Sequence, residues 1–123
     1  MTLNPPPGFR IKRVYDDPTP EDGTRILVDR LWPRGVSKQR AHIDEWDTGI
    51  TPSNELRHWF HEDPSARYHD FEHRFRAELD APTAQAALAR LRTRAQAGPV
   101  TLVTAVRDLE HSHIPVLLEE LCG

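Results

Sequence analysis

The sequence has almost no cysteine, since its 123 residues include only Cys122. One cysteine cannot form a disulfide within the chain, which is typical of proteins in a reducing compartment, so we expect a cytoplasmic location. Long apolar runs are missing as well. No run approaches the ~20 residues that span a bilayer, and the first residues hold no hydrophobic signal core, so we expect no membrane partner.

Several motifs of catalysis and cofactor binding are also absent. The six glycines form neither a phosphate-binding loop nor a dinucleotide-binding loop. No Gly-x-Ser-x-Gly nucleophile motif occurs, and Cys122 lies beyond any predicted strand end. These absences count against nucleophilic catalysis, and they leave the cofactor, if the protein uses one, unknown.

Histidine occurs seven times, but its spacing gives little support to a metal site. His69 and His73 have the i, i+4 spacing that places two side chains on one helix face. No glutamate directly follows His69, however, as the zinc-binding motif His-Glu-x-x-His requires, and no third ligand is evident nearby. Both histidines fall off the apolar stripe of their predicted helix, so we interpret them as part of a solvated face and predict no metal.

Lysine is scarce: it supplies two of the 16 cationic residues, and arginine supplies the other 14. The formal net charge of -3 counts against general nucleic-acid binding, which rests on a positive field. An arginine bias favours planar recognition of carboxylate or phosphate, but a GC-rich genome would produce the same bias. Composition leaves both explanations open.

Length and composition predict one domain, because 123 residues with 37% hydrophobic content suffice for one core. We expect a flexible lead-in over residues 1–9, which contains three consecutive prolines, and one α/β domain over 10–123. Short apolar or alternating patterns predict strands at 10–15, 25–29 and 100–106. The connection between the first two is too short for a helical crossover, which leaves a hairpin or a parallel pair joined by an irregular loop.

Four helices are predicted between and after these strands. The first opens at Pro52 and the second at Asp63-Pro64, where an N-cap residue precedes proline. The third begins near Pro82, and the last begins near His113 or Pro115. The second helix carries an apolar stripe of Tyr68, Phe71, Phe75 and Leu79. The predicted fold class is therefore α/β: a compact single domain with a short, mostly parallel sheet flanked by about four helices.

Charged side chains follow two of the predicted strands. In open α/β sheets, ligands gather beyond the carboxyl ends of the strands, and the last helix begins there with unpaired N–H groups that favour an anion. We therefore predict a ligand site formed by Asp29, Arg30, Arg34 and Lys38 after the second strand and by Arg107, Asp108, His111 and His113 after the last strand.

The predicted ligand is a small anion that bears phosphate or carboxylate. The three arginines of this set would hold the anion, and the two aspartates would orient the arginines. Whether the protein is an enzyme stays open. If it is one, His111 or His113 is the proton carrier, because an imidazole titrates near pH 7.

Two alternatives to ligand binding stay open. In the first, the arginines and aspartates pair with one another and only hold the two chain segments together. In the second, the chain is a non-enzymatic interaction module or a homodimer that uses Trp32 or Trp46 as its anchor.

The residues around this predicted site resemble a known family. The motif Asp29–Gly35, with Lys12–Asp16 before it and the later Arg107-Asp108 and His111-x-His113, resembles the YeaO-like branch of domain-of-unknown-function family 488. The resemblance spans nearly the whole chain. It implies a compact α/β fold and a bacterial cytosolic protein, but it brings no established reaction.

The chain departs from the broader family in one respect. Other members often carry cysteines on the last strand and just before the histidine that aligns with His113. This chain has none there. The missing cysteines narrow the expected chemistry to acid–base catalysis or plain anion binding by arginine and histidine, and they count against thiol chemistry.

Overall fold

Four parallel strands form one sheet in this computed structural model, which describes residues 3–122. The strands are β1 (Phe9–Arg13), β2 (Thr24–Leu27), β3 (Glu45–Trp46) and β4 (Val100–Thr104). Their order across the sheet is β1-β4-β2-β3. The predicted parallel sheet is confirmed.

The first two strands do not pair with each other, so the hairpin and the direct parallel pair considered for them are both wrong. β4 lies between them, and its Val100 is opposite Phe9 on one side and Thr24 on the other. β4 is buried at every residue, which suits an interior place in a parallel sheet. The ten residues between β1 and β2 can reach roughly 33 Å, enough to return past one intervening strand.

The helices that flank the sheet are α1 (Lys38–Ala41), α2 (Asn54–Glu62), α3 (Pro64–Leu79), α4 (Pro82–Ala97) and α5 (Ile114–Cys122). The last four confirm the four predicted helices. The sequence pattern does not predict α1 or β3, because elements of four and two residues are too short to show a periodicity. Over residues 3–122, none of the helices combines the length and apolar character needed to cross a membrane.

The core lies between the sheet and helices α3 to α5. Full burial of a large apolar side chain stabilises the fold by about 1.5–3 kcal/mol, so this contact supplies most of the packing energy. The opposite face has a smaller apolar cluster, in which Trp32 packs near Val103 and Ala41. Central residues of the main core include Ile26, Phe75, Leu88, Leu102 and Leu117.

The segment before β1 is described from Leu3 onward, so Met1 and Thr2 of the predicted lead-in lie outside the described residues. Pro6 is buried, and its carbonyl accepts a hydrogen bond from the N–H of Phe9. Phe9 already belongs to β1. The sheet therefore starts one residue earlier than the sequence pattern indicates.

A buried carboxylate anchors the loop that precedes β2. Asp22 is fully buried and accepts hydrogen bonds from the Arg25 guanidinium at 2.6 Å and the Lys12 ammonium at 3.1 Å. The backbone N–H and hydroxyl of Thr19 also donate to it. Burial alone would raise the pKa of Asp22, but these hydrogen bonds outweigh burial and lower the pKa to about 2. The carboxylate is therefore charged in the fold.

Replacing Asp22 tests this anchor. In Asp22→Ala the buried Arg25 loses its carboxylate partner, and we expect the free energy of unfolding to fall by about 3–5 kcal/mol in urea titrations. Asp17→Ala is the matched control, since Asp17 is exposed in the same loop and should change stability by less than about 0.5 kcal/mol. Equal losses of unfolding free energy in Asp22→Ala and Asp17→Ala would contradict the role of Asp22 as the anchor of this loop.

Candidate functional site

A cleft of about 390 Å³ opens at the carboxyl ends of β2 and β4. Its walls come from the segments that follow these strands and from α2 and α3. This is the edge of the sheet at which α/β proteins bind ligands. The charged and titratable side chains that line the cleft are Asp29, Arg30, Arg57, His61, Arg107, Asp108, His111 and His113.

Asp29 joins the ends of the two strands. Its Oδ1 accepts a hydrogen bond from the Thr104 hydroxyl at 2.6 Å, and its Oδ2 accepts one from the N–H of Ala105 at 2.7 Å. Hydrogen bonds to a charged carboxylate are about twice as strong as those between neutral groups. Among residues 3–122 no arginine forms an ion pair with Asp29, so its partners differ from the arginines that the sequence suggested.

His113 lies in the interior of the cleft, with 7% of its surface exposed. Its Nε2 lies 2.6 Å from the carbonyl oxygen of Val28 and 3.5 Å from Oδ1 of Asp29. A carbonyl oxygen only accepts, so Nε2 carries the proton. Burial lowers the pKa of His113 below its ordinary value; Asp29 and the Val28 carbonyl act against this shift, and the charge of Arg57 adds to it.

The protonated Nε2 leaves Nδ1 of His113 as a lone-pair acceptor. No described residue donates a hydrogen bond to Nδ1. A neutral imidazole fixed in this tautomer presents one acceptor atom to the cleft.

The loop after β4 is fixed by Tyr68 of α3. The Tyr68 hydroxyl lies 3.1 Å from the carbonyl oxygen of Glu110 and 3.0 Å from that of Ser112, so both share its proton. Burial is the main cause of the raised pKa of Tyr68, and the negative charge of Glu72 is the next cause. The hydroxyl therefore keeps its proton and remains a donor. This contact holds the loop that carries the later site residues against α3.

Asp108 and His111 form a pair on the exposed side of this loop. Nδ1 of His111 lies 2.8 Å from Oδ2 of Asp108. The hydrogen bond from His111 is the main cause of the lowered pKa of Asp108. Both side chains are about two-thirds exposed, so the pair is worth little as a stabilising ion pair.

The three arginines of the cleft differ in how they are held. Arg30 donates through Nε and Nη2 to the carbonyl oxygens of Pro52 and Thr51, each at 3.1 Å. Arg57 donates to Oδ1 of Asn54 at 3.2 Å. The guanidinium of Arg107 is exposed and has no hydrogen bond or ion pair to residues 3–122, although its carbonyl accepts one from Arg13.

Two of the eight predicted site residues, Arg34 and Lys38, do not line the cleft. Both are exposed, and Lys38 is the first residue of α1. The chain turns away after the second strand through Gly35, whose φ of 78° favours glycine. The other six predicted residues are brought together.

Arg57 and His61 also line the cleft, although neither is among the predicted site residues. They lie one turn apart on α2, and each directly follows a buried apolar residue, Leu56 or Phe60. This position at the border of an apolar stripe is the pattern that could have identified them. Burial lowers the pKa of His61, and the charges of Arg57 and His58 act in the same direction.

The histidines of α3 lie away from the cleft. His69 and His73 are exposed, and their ring centroids are 5.1 Å apart. Across residues 3–122, histidine, cysteine and carboxylate side chains form no group of three or more that could hold a metal ion.

These features define the class of protein: a parallel α/β domain with an arginine-lined cleft at its strand ends. The family model described as the inactive DUF488-N3 subclade matches residues 8–122, so the chain belongs to domain-of-unknown-function family 488. This confirms the resemblance inferred from the sequence motifs.

Two uncharacterised bacterial proteins are similar to the chain over nearly its whole length. It is 43% identical over 114 residues to an uncharacterised protein of Mycobacterium tuberculosis (strain ATCC 25618 / H37Rv), covering 93% of each chain. It is 43% identical over 113 residues to the uncharacterised protein YeaO of Escherichia coli (strain K12), covering 92% of this chain and 96% of that protein. No solved structure matches the chain.

The buried His113 predicts a dependence of stability on pH. Its pKa in the fold lies below the ordinary value of 6.5, so the unfolded chain binds more protons once the pH falls below about 6.5. Its contribution is present above that pH and is lost as the pH falls toward the folded pKa, by up to about 1.4 kcal/mol per pH unit. Urea titrations at pH 7.5 and 5.5 measure the loss.

The control for this prediction is a pair of variants. His113→Gln keeps an N–H donor near the position of Nε2 and cannot take up the proton, so it should lose less stability between the two pH values. His69→Gln, on the exposed face of α3, should retain the loss seen in the unmodified protein. Identical pH dependence in all three proteins would contradict the role given to His113.

Proposed function

We propose that the cleft binds, without converting it, a small molecule that bears a phosphate or a carboxylate. The observation that carries this proposal is the exposed guanidinium of Arg107, which lacks a partner among residues 3–122 and shares the cleft with Arg30 and Arg57. A planar guanidinium matches carboxylate and phosphate geometry, and each charge-assisted hydrogen bond contributes about 1.5–3 kcal/mol.

The carboxylates of the cleft do not neutralise these arginines directly. Both oxygens of Asp29 are already bonded to Thr104 and Ala105, and Asp108 is bonded to His111. An arriving anion therefore competes with water, and not with a formed arginine–carboxylate pair. This supports anion binding over a purely structural arginine–aspartate cluster.

Arg30 supports the proposal through its rigidity. Its two hydrogen bonds to the carbonyls of Thr51 and Pro52 fix the guanidinium plane before any ligand arrives. A side chain that is already ordered loses less conformational entropy on binding, which otherwise costs about 0.5–1.5 kcal/mol. Nη1 of Arg30 has no hydrogen bond among the described residues and is available to the ligand.

Binding without turnover is favoured by two observations. The matching family model is described as an inactive subclade. The chain has no cysteine near the strand ends, since Cys122 is its only one. We therefore assign His113 to ligand contact through Nδ1 and His111, which is bonded to Asp108, to loop structure.

The test compares two exposed arginines. Orthophosphate, pyrophosphate and succinate are titrated into the unmodified protein, and binding is followed by thermal shift and calorimetry. In Arg107→Ala, loss of one charge-assisted hydrogen bond should raise Kd at least about ten-fold. Arg34→Ala removes the same charge outside the cleft and should change Kd less than about two-fold. No binding of any of the three anions, or equal losses in both variants, would overturn the proposal.

The second candidate function is a homodimer or an interaction module. The observation that favours it is the exposure of two apolar side chains near the cleft mouth, Leu31 at 59% and Trp46 at 46%. Leu31 lines the cleft, and the Trp46 indole donates to the carbonyl of Asp29. Light scattering after size exclusion would then give a mass that rises with concentration, and Leu31→Ser would abolish the rise. A monomer mass at every concentration removes the homodimer.

A further inference from the structure

The interior of the cleft is built from flat rings. Phe60 of α2 and Phe71 of α3 stack with centroids 4.3 Å apart and an interplanar angle of 28°. Both line the cleft and are largely buried. The imidazoles of His61 and His111 are exposed at the same cleft, and the His113 ring also lines it, so five aromatic rings contribute to its surface. Ring-lined surfaces favour flat ligands, because aromatic pairs gain about 0.5–1.5 kcal/mol beyond the burial of their area.

The interior of the cleft also contains one ring nitrogen that can accept a hydrogen bond. Nδ1 of His113 is a lone-pair acceptor with no hydrogen-bond donor among residues 3–122, in a ring that is more than nine-tenths buried and lines the cleft, and the atom itself is not fully enclosed. In the absence of a protein donor this acceptor hydrogen-bonds to water, and a ligand that supplies an N–H or O–H can take the place of that water. The tautomer cannot change without breaking the hydrogen bond to Val28.

We infer that the ligand is an aromatic ring that carries one N–H or O–H donor and is joined to the anionic group. The ring lies among the aromatic side chains and donates to Nδ1 of His113, while the anion meets Arg107 and Arg57. This inference rests on the proposed function and specifies the rest of the molecule. A cleft of about 390 Å³ falls within the ~300–1,000 Å³ of small-molecule sites.

Two kinds of metabolite share this chemistry: nucleoside monophosphates and hydroxylated aromatic acids. Each supplies a matched pair of probes that differ by one methyl group. Uridine 5′-monophosphate has a ring N–H that 3-methyluridine 5′-monophosphate lacks. In the same way, 4-hydroxybenzoate has an O–H that 4-methoxybenzoate lacks.

Calorimetric titration of the four probes, with orthophosphate as reference, tests the inference. For at least one pair, the member with the donor should bind at least about ten-fold more tightly than orthophosphate. Its methylated partner should bind at least about ten-fold more weakly, because a site built around a hydrogen bond rejects an analogue that lacks it. The pair that shows this difference identifies the source of the ligand.

Two variants test whether His113 causes the difference in affinity between the methylated and unmethylated probes. In His113→Gln the methylated and unmethylated probes should bind within about two-fold of each other, because the acceptor at Nδ1 is gone. His69→Gln, which lies outside the cleft, should keep the full difference. If His113→Gln does not fold, ¹⁵N spectra of histidine-labelled unmodified protein replace it: the donor-bearing probe alone should shift the Nδ1 resonance of His113.

The outcomes separate this inference from the proposed function. If orthophosphate binds in an Arg107-dependent way but methylation has no effect in either pair, the ring inference is wrong and anion binding stands. The same holds if neither ring probe binds more tightly than orthophosphate. If neither orthophosphate nor any ring probe binds, both proposals are wrong.

Discussion

The hydrogen bonds from Thr104 and Ala105 to the carboxylate of Asp29 hold the carboxyl ends of β2 and β4 side by side. These strands are neighbours in the sheet, and the segments that follow them form two walls of the cleft. The same carboxylate lies 3.5 Å from Nε2 of His113, whose ring is held by the Val28 carbonyl. The cleft therefore depends on one charged group that is satisfied by the protein itself.

Some groups around Asp29 are held in place by hydrogen bonds within the protein, and others are left to bind a ligand. Tyr68 holds the loop after β4, and backbone carbonyls hold Arg30. Against this rigid frame, the guanidinium of Arg107 and Nδ1 of His113 have no hydrogen bond within residues 3–122. One is a cationic donor and the other a neutral acceptor. Their difference in chemistry is what favours a ligand with an anion at one end and a donor at the other.

Much of the fold could be predicted from local patterns. The buried run of β4 and the stripe on α3 are long enough to show their periods, and both confirm the prediction. The place of β4 between β1 and β2 could not be predicted, because it depends on contacts between residues almost the whole chain apart. A strand as short as Glu45–Trp46 likewise has no local pattern of its own.

Only part of the candidate site could be predicted from the sequence. Strand ends locate Asp29, Arg30 and the residues after β4, because the carboxyl edge of a parallel sheet is a general property of the fold. Arg34 follows the same strand, but the turn at Gly35 leaves it outside the cleft. Arg57 enters from α2; its place beside the buried Leu56 marks the border of an apolar stripe, but the packing of α2 against the strand ends is a tertiary contact that this local pattern does not specify. Sequence thus locates the part of the site built by strands and not the part built by helices.

A backbone amide map of the protein tests whether this cleft binds anions. In ¹⁵N–¹H spectra recorded during an orthophosphate titration, we expect saturable shifts confined to residues 29–31, 57–61 and 105–113, which contribute the charged walls of the cleft. Shifts elsewhere alone, or a linear drift of all exposed amides with no saturation, would contradict the account.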